Sequence, residues 1–274
     1  MRTFVTGAAL ALTLGMGGAA IAQTVPDWRP LDLENTLVID TTKGRVIVEM
    51  TPGVAPLNVE RIKTLARRHF YDGIIFHRVI ADFMAQTGDP KGTGEGGSDL
   101  PDVVGEFRFK RSAAMPYGEV ANEGGKSSGF LGSLPVVTTG DDMMAFTADG
   151  TVPAWGAYCP GVAGMARQGE PNTANSQFYL MRGTERQLDS SYTAFGYVVQ
   201  GLEVVYALNL GEPPKTPDKM TSVRIAADLP AAEQPRLQVM DPRGAAFKAY
   251  VAKVKKDTGP GFDICSVRLP TRAG

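Results

Sequence analysis

Arg78, Phe83, Met84 and Gln86 fall within one run, Phe76-His77-Arg78-Val79-Ile80-Ala81-Asp82-Phe83-Met84-Ala85-Gln86-Thr87-Gly88-Asp89. It sets a cation, an amide and two acids among large apolar residues. Such a group offers a charge-assisted hydrogen-bond donor beside an apolar surface, the makings of a site and not only of a core. Read with period two, Phe76, Arg78 and Ile80 share one face, which turns His77 into the interior, and Met84 shares a face with Gln86. Other chemistries find little support. His69 and His77 are the only histidines and neither has a metal-ligand spacing, so no metal or other cofactor is expected. No Cys-x-x-Cys or Gly-x-Ser-x-Gly exists for redox or hydrolytic catalysis. Gly124-Gly125-Lys126-Ser127 is not a phosphate loop, because Val120 stands where its first glycine is required. The glycine run 92–97 has no helix signal after it and reads as a turn-rich loop.

The elements that must position this run are mostly short strands. Residues 35–41 and 44–50 are β-branched runs separated by Thr42-Lys43, an opening hairpin. From Pro56, Val59, Ile62, Leu65 and Ala66 recur at helical spacing, with charged residues opposite. Residues 161–167, 175–181, 193–199 and 221–226 read as strands, and Leu202 to Leu208 as a helix. The stretch from about 98 to 160 is long, irregular and turn-rich, yet its aromatic content argues against disorder. After Pro230, residues 243–256 form an amphipathic helix candidate and 264–269 a candidate strand.

A formal net charge of −1 supplies no basic field for nucleic acid. Arg2, the apolar stretch from Ala8 and Ala20-Ile21-Ala22 before Gln23 read as a signal peptide over 1–22. A periplasmic or secreted protein is therefore expected, with no stable membrane span after cleavage. Export favours a bridge between the two cysteines, Cys159 and Cys265; the alternative is two unpaired thiols.

The central run also resembles the motif of the cyclophilins, which are peptidyl-prolyl cis/trans isomerases. Gly161 to Ala166 followed by Pro171 to Tyr179, then Leu188-Asp189 with Phe195 to Val198, continue the likeness. The resemblance implies a mainly β fold: a closed eight-stranded antiparallel β-barrel capped by two α-helices. The barrel domain would span 23–228, with a long inserted loop region at about 98–160 packed on the barrel. A C-terminal extension, 229–274, would pack on it too, tethered through Cys159 and Cys265. The implied activity is rotation about X-Pro bonds in proline-containing polypeptides, by a protein expected to be a monomer. The other class of function is a non-catalytic peptide-binding or chaperone module on the same fold.

Carried over by motif, the catalytic residue is Arg78. The substrate-binding residues are Phe83, Met84, Gln86, Ala166, Arg167, Gln177, Tyr179, Leu188 and Tyr192. Gln86 would also orient Arg78, and Gln177 would bind the flanking peptide. Arg167 stands where asparagine is usual, Tyr179 where phenylalanine is, and Tyr192 where many members have histidine. Gln187 replaces an aromatic that helps to bind cyclosporin, so weak cyclosporin binding is expected.

Overall fold

The computed structural model describes residues 25–274; the expected signal peptide, 1–22, lies outside the described residues. The strands in chain order are β1 (Trp28–Pro30), β2 (Thr36–Thr41), β3 (Gly44–Met50), β4 (Arg78–Val79), β5 (Met84–Thr87), β6 (Phe109–Ser112), β7 (Tyr117–Glu123), β8 (Lys126–Leu131), β9 (Leu134–Thr139), β10 (Thr151–Gly156), β11 (Val162–Met165), β12 (Phe178–Met181), β13 (Ala194–Gln200), β14 (Met220–Ile225), β15 (Leu237–Met240) and β16 (Thr271–Ala273). The α-helices are α1 (Pro56–Arg67), α2 (Leu202–Ala207) and α3 (Ala245–Thr258).

Eight strands form one curled antiparallel sheet in the order β14-β2-β3-β13-β11-β12-β5-β4. Alternation along its strands divides the apolar residues between two layers. Val46, Val48, Phe178 and Leu180 pack inward with Val59, Ile62 and Leu65 of α1 and Leu202 and Val205 of α2. Ile47, Tyr179, Met181 and Tyr197 point to the opposite face. The expected closed barrel is corrected to a curled half-barrel, because β14 and β4 are edges with no ladder between them. β4 is only two residues long, and the chain before it meets the β14 side at one bridge, Ile75–Lys219. Hydrogen bonds from Gly73 N to Met220 O and from Phe76 N to Asp218 O, both 2.8 Å, draw the edges together there.

The expected irregular insertion is instead a five-stranded antiparallel sheet, β6-β10-β9-β8-β7. β7 and β8 were obscured by Ser, Gly, Asn and Glu, which have low strand propensity, and β9 and β10 by Pro135 and Pro153, which interrupt the strand pattern. β7 and β8 join through Gly124-Gly125, with φ of 59° and 78°, the two positive dihedrals that a two-residue hairpin requires.

This second sheet covers the outer face of the first. Phe130, Leu134 and Val136 from the insertion and Val239, Phe247 and Val251 from the C-terminal extension are buried against Ile47, Met181 and Tyr197. Phe130 and Phe247 meet edge to face, with ring centroids 5.9 Å apart. The extension also captures the start of the described chain: β15 pairs with β1 on one side and β16 on the other. Arg29 of β1 donates to both carboxylate oxygens of Glu49 on β3 and to Ser133 between β8 and β9. The strand expected at 264–269 is absent; Ile264–Ser266 is a 3-10 turn capped by Asp263, and the last strand follows it.

A disulfide between Cys159 and Cys265 spans a sequence separation of 106 and ties the end of the insertion to the extension. Cross-linking so long a loop stabilises by about 4 kcal/mol in the chain-entropy model, less where the native state is strained. Chemical denaturation of a Cys159→Ser variant against the oxidised protein is expected to show a loss of about 2–4 kcal/mol. Phe247→Ala, which empties the centre of the outer layer, is expected to cost about 3–5 kcal/mol in the same measurement.

Candidate active site

Two sheet pairings assemble the site. β4 against β5 sets Arg78 opposite Gln86, and β5 against β12 sets Gln86 opposite Tyr179. Because Tyr179 lies one residue from both Phe178 and Leu180, it faces away from the inner core. The outcome is a cleft of about 170 Å³ lined by Arg78, Phe83, Met84, Gln86, Ala166, Arg167, Tyr179, Leu188 and Tyr192. Those are nine of the ten residues named from sequence. The tenth, Gln177, lines an adjoining hollow of about 120 Å³ with Gly94 to Gly97, Asp102 and Asn175. Gln86, Ala166 and Arg167 border both.

A chain of amides separates the two hollows. Gln86 Nε2 donates to Gln177 Oε1 at 2.8 Å, and Gln177 Nε2 donates to the carbonyls of Gly94 and Gly96, both at 2.8 Å. The glycine loop is therefore fastened to the sheet. It wraps Asp89, whose carboxylate accepts the backbone N–H groups of Lys91, Thr93 and Gly94. A Cβ on Gly96 would come within 1.9 Å of Asp89 Oδ1, so only glycine allows this closeness.

The expectation that Gln86 orients Arg78 is corrected: Gln86 Nε2 donates to Gln177, and no side-chain hydrogen bond joins Gln86 to Arg78. Arg78 Nε donates instead to Glu212 Oε2 at 2.6 Å, and the guanidinium lies 5.7 Å from the centroid of the Phe83 ring. Among the described residues its Nη groups have no intramolecular partner. Glu212, 134 residues away in sequence, carried no signal that joined it to Arg78.

Arg167 is held at several points. Its guanidinium donates to the carbonyls of Gln168, Gly169 and Ser191 and lies 4.4 Å from the Tyr192 centroid and 5.6 Å from that of Phe107. It thereby joins the 166–169 turn, the Leu188–Tyr192 loop and the insertion. The insertion also braces that loop at Tyr158, whose N–H donates to Asp189 and whose carbonyl accepts from Glu185 N. Phe107 and Tyr158 were visible in sequence only as aromatics in an unexplained stretch.

Phe76, expected beside the groove on the face of Arg78, is fully buried in the inner core. Extended pairing covers only Arg78–Val79 in β4, so period-two alternation does not reach back to Phe76. His77 is buried as expected, but neither ring nitrogen has a hydrogen-bond partner. Desolvation lowers its pKa below 6.5, against the attraction of Asp89, and keeps the ring neutral. Burial pushes Asp89 up, but donation from Lys91, Gly96, Gly94 and Thr93 outweighs it and holds the carboxyl at about 2.

Comparison with known proteins agrees with this geometry. The model of the family described as cyclophilin type peptidyl-prolyl cis-trans isomerase/CLD matches residues 36–226. A probable peptidyl-prolyl cis-trans isomerase of Brucella suis is 32% identical over 213 residues, covering 72% of this chain and 85% of the relative. A putative peptidyl-prolyl cis-trans isomerase of Staphylococcus saprophyticus is 33% identical over 177 residues, covering 63% and 79%. The crystal structure of cyclophilin AquaCyp293 from Hirschia baltica superposes with a TM-score of 0.82 at 35% identity, covering 89% of this chain and 92% of that one. The curled sheet, its few helices and these matches define a class: the chain belongs to the cyclophilin-type peptidyl-prolyl cis-trans isomerases. Its coverage by the Hirschia structure exceeds the family-model span, so part of the chain outside 36–226 has a counterpart there as well.

The hydroxyls of Tyr158 and Tyr179 are buried facing each other, with no other hydrogen-bond partner among the described residues, and burial pushes both pKa values up. Tyr179→Phe is expected to change stability by no more than about 1 kcal/mol in chemical denaturation, since the hydroxyl it removes faces only that of Tyr158. The unfolded chain protonates His77 before the folded one does, so His77 makes stability fall as pH drops below about 6.5. Asp89 adds stability that is full above 3.8 and lost as pH falls toward about 2. Urea midpoints taken from about pH 7.5 to about pH 4.5 are expected to decline less steeply in His77→Gln than in the wild type.

Proposed function

We propose that this isomerase rotates X-Pro bonds in exported polypeptides by non-covalent stabilisation of a twisted amide. Resonance sets a barrier of about 18–20 kcal/mol to rotation. An X-Pro bond has isomers of similar energy that exchange over tens of seconds or more. A catalyst must hold the twisted form better than either planar one. Acceleration by four decades needs about 5.4 kcal/mol of such differential binding.

The observation that carries the proposal is the position of Arg78 at the wall of a cleft that also presents Phe83, Met84, Tyr179 and Leu188, with Nη donors that no residue of the described chain takes up. A donor aimed at the prolyl nitrogen favours a pyramidal atom whose lone pair has left resonance. A charge-assisted hydrogen bond supplies about 1.5–3 kcal/mol, so the pocket must supply the rest. Phe83, Met84, Tyr179 and Leu188 would surround the proline ring. Ala166 and Arg167 border both hollows, and the backbone there would pair with the substrate chain. With Gln177 committed to the glycine loop, its role is to shape the second hollow, where the flanking peptide would lie. The insertion touches this wall through Phe107 and leaves the cleft open, which favours an active enzyme over a non-catalytic module.

Export rests on residues 1–22 and agrees with a disulfide, which oxidising compartments favour. No helix among the described residues is long and apolar enough to cross a membrane. When cells expressing the full chain are fractionated, the protein is expected in the periplasm or medium with Gln23 at its amino terminus; a protein held in the cytoplasm with residues 1–22 intact would remove the export reading.

In a prolyl tetrapeptide assay Arg78→Ala is expected to lower kcat/KM by about one to two decades, the equivalent of the lost charge-assisted bond. A wild type no faster than this variant would sink the catalytic reading.

A further inference from the structure

We infer that Glu212 is a positioning residue for Arg78, an inference that rests on the catalytic reading of Arg78. β4 is the edge of the eight-stranded sheet, and the segment after α2 runs beside it. Val79 N donates to Gly211 O at 2.8 Å, and Gly211 N donates back to Val79 O at 2.9 Å. Arg78 and Glu212 are the immediate neighbours of that doubly bonded pair, so the backbone brings their side chains together before either is oriented.

The carboxylate engages Nε, the donor nearest the aliphatic stem. That choice leaves both Nη groups to the cleft, while the ring of Phe83 lies 5.7 Å away across the guanidinium. An arginine otherwise samples many rotamers, and restricting it in advance removes an ordering cost from the step that most needs the donor. The side chains are 38% and 53% exposed. Pairs so exposed contribute little to folding stability. Glu212 is thus expected to act on kcat and to leave the fold's stability as it is.

The Arg78 and Glu212 variants are compared in the tetrapeptide assay with KM and kcat resolved. Glu212→Ala is expected to lower kcat three- to tenfold, about 0.6–1.4 kcal/mol at 1.36 kcal/mol per decade. KM should stay within about twofold and the thermal midpoint should not move, since only a group poised for the transition state is disturbed. Glu212→Gln, which still offers an oxygen to Nε, should fall between wild type and Glu212→Ala. The double variant Arg78→Ala/Glu212→Ala should match Arg78→Ala alone, because Glu212 acts only through Arg78. By NMR the Arg78 Nε–H should exchange with solvent more slowly in the wild type than in Glu212→Ala.

The inference is overturned if Glu212→Ala keeps or gains kcat while Arg78→Ala has lost activity, if the two losses add, or if Nε–H exchange is the same in both proteins. An Arg78→Ala variant as active as wild type overturns both this inference and the catalytic reading.

Discussion

The antiparallel pairing of Met84–Thr87 with Phe178–Met181 is the constraint on which the rest of the site depends. It joins two segments about ninety residues apart and fixes the face of every side chain on them. Phe178 and Leu180 enter the inner core, while Tyr179 and Met181 turn outward beside Met84. A shift of one residue would exchange those faces, burying Tyr179 under the helices and moving Phe178 into the cleft. The same register brings Gln86 to Gln177, and through Gln177 fastens the glycine loop that lines the second hollow.

The outer face of this sheet is apolar, and such a surface needs a cover. The insertion and the C-terminal extension supply it, and a disulfide binds them to each other. Their influence reaches the cleft through specific contacts. Tyr158, next to Cys159, braces the loop that carries Leu188 and Tyr192, while Phe107 packs against Arg167. One layer thus serves as the cover of a hydrophobic face and as the backing of the cleft wall.

Charges at the site are distributed according to burial. Asp89 remains a carboxylate inside a loop because several backbone donors meet it, whereas burial keeps His77 neutral, with no acceptor bonded to either ring nitrogen. The arginines, always charged, stand at the cleft's boundary: Arg78 against a carboxylate and Arg167 against carbonyls and aromatic rings. A reaction that needs no nucleophile is well served by such an arrangement, since its components only need to be held still.

Much of this was legible from local pattern. The opening hairpin and the spacing of Val59, Ile62 and Leu65 followed from periodicity, while the blocks around Arg78, Ala166 and Tyr179 carried the family resemblance, which implied a mainly β fold and nine residues of one cleft. The insertion was not legible in the same way. Its strands interrupt runs such as Val136-Val137-Thr138-Thr139 and Thr151-Val152 with prolines, and β7 and β8 carry glycine, serine and glutamate, so no clean period-two pattern survives. Phe76 was misplaced because the run of extended backbone at β4 is too short for alternation to hold. By itself the sequence determined the opening hairpin and where most strands of the large sheet would fall, and through its motifs which residues would meet in the cleft. Tertiary structure alone decided that the sheet stays open at β4 and β14, that Gln86 serves Gln177, and that Glu212 holds Arg78. Those outcomes depend on contacts between residues far apart in the chain, whose geometry exists only after the sheet has curled.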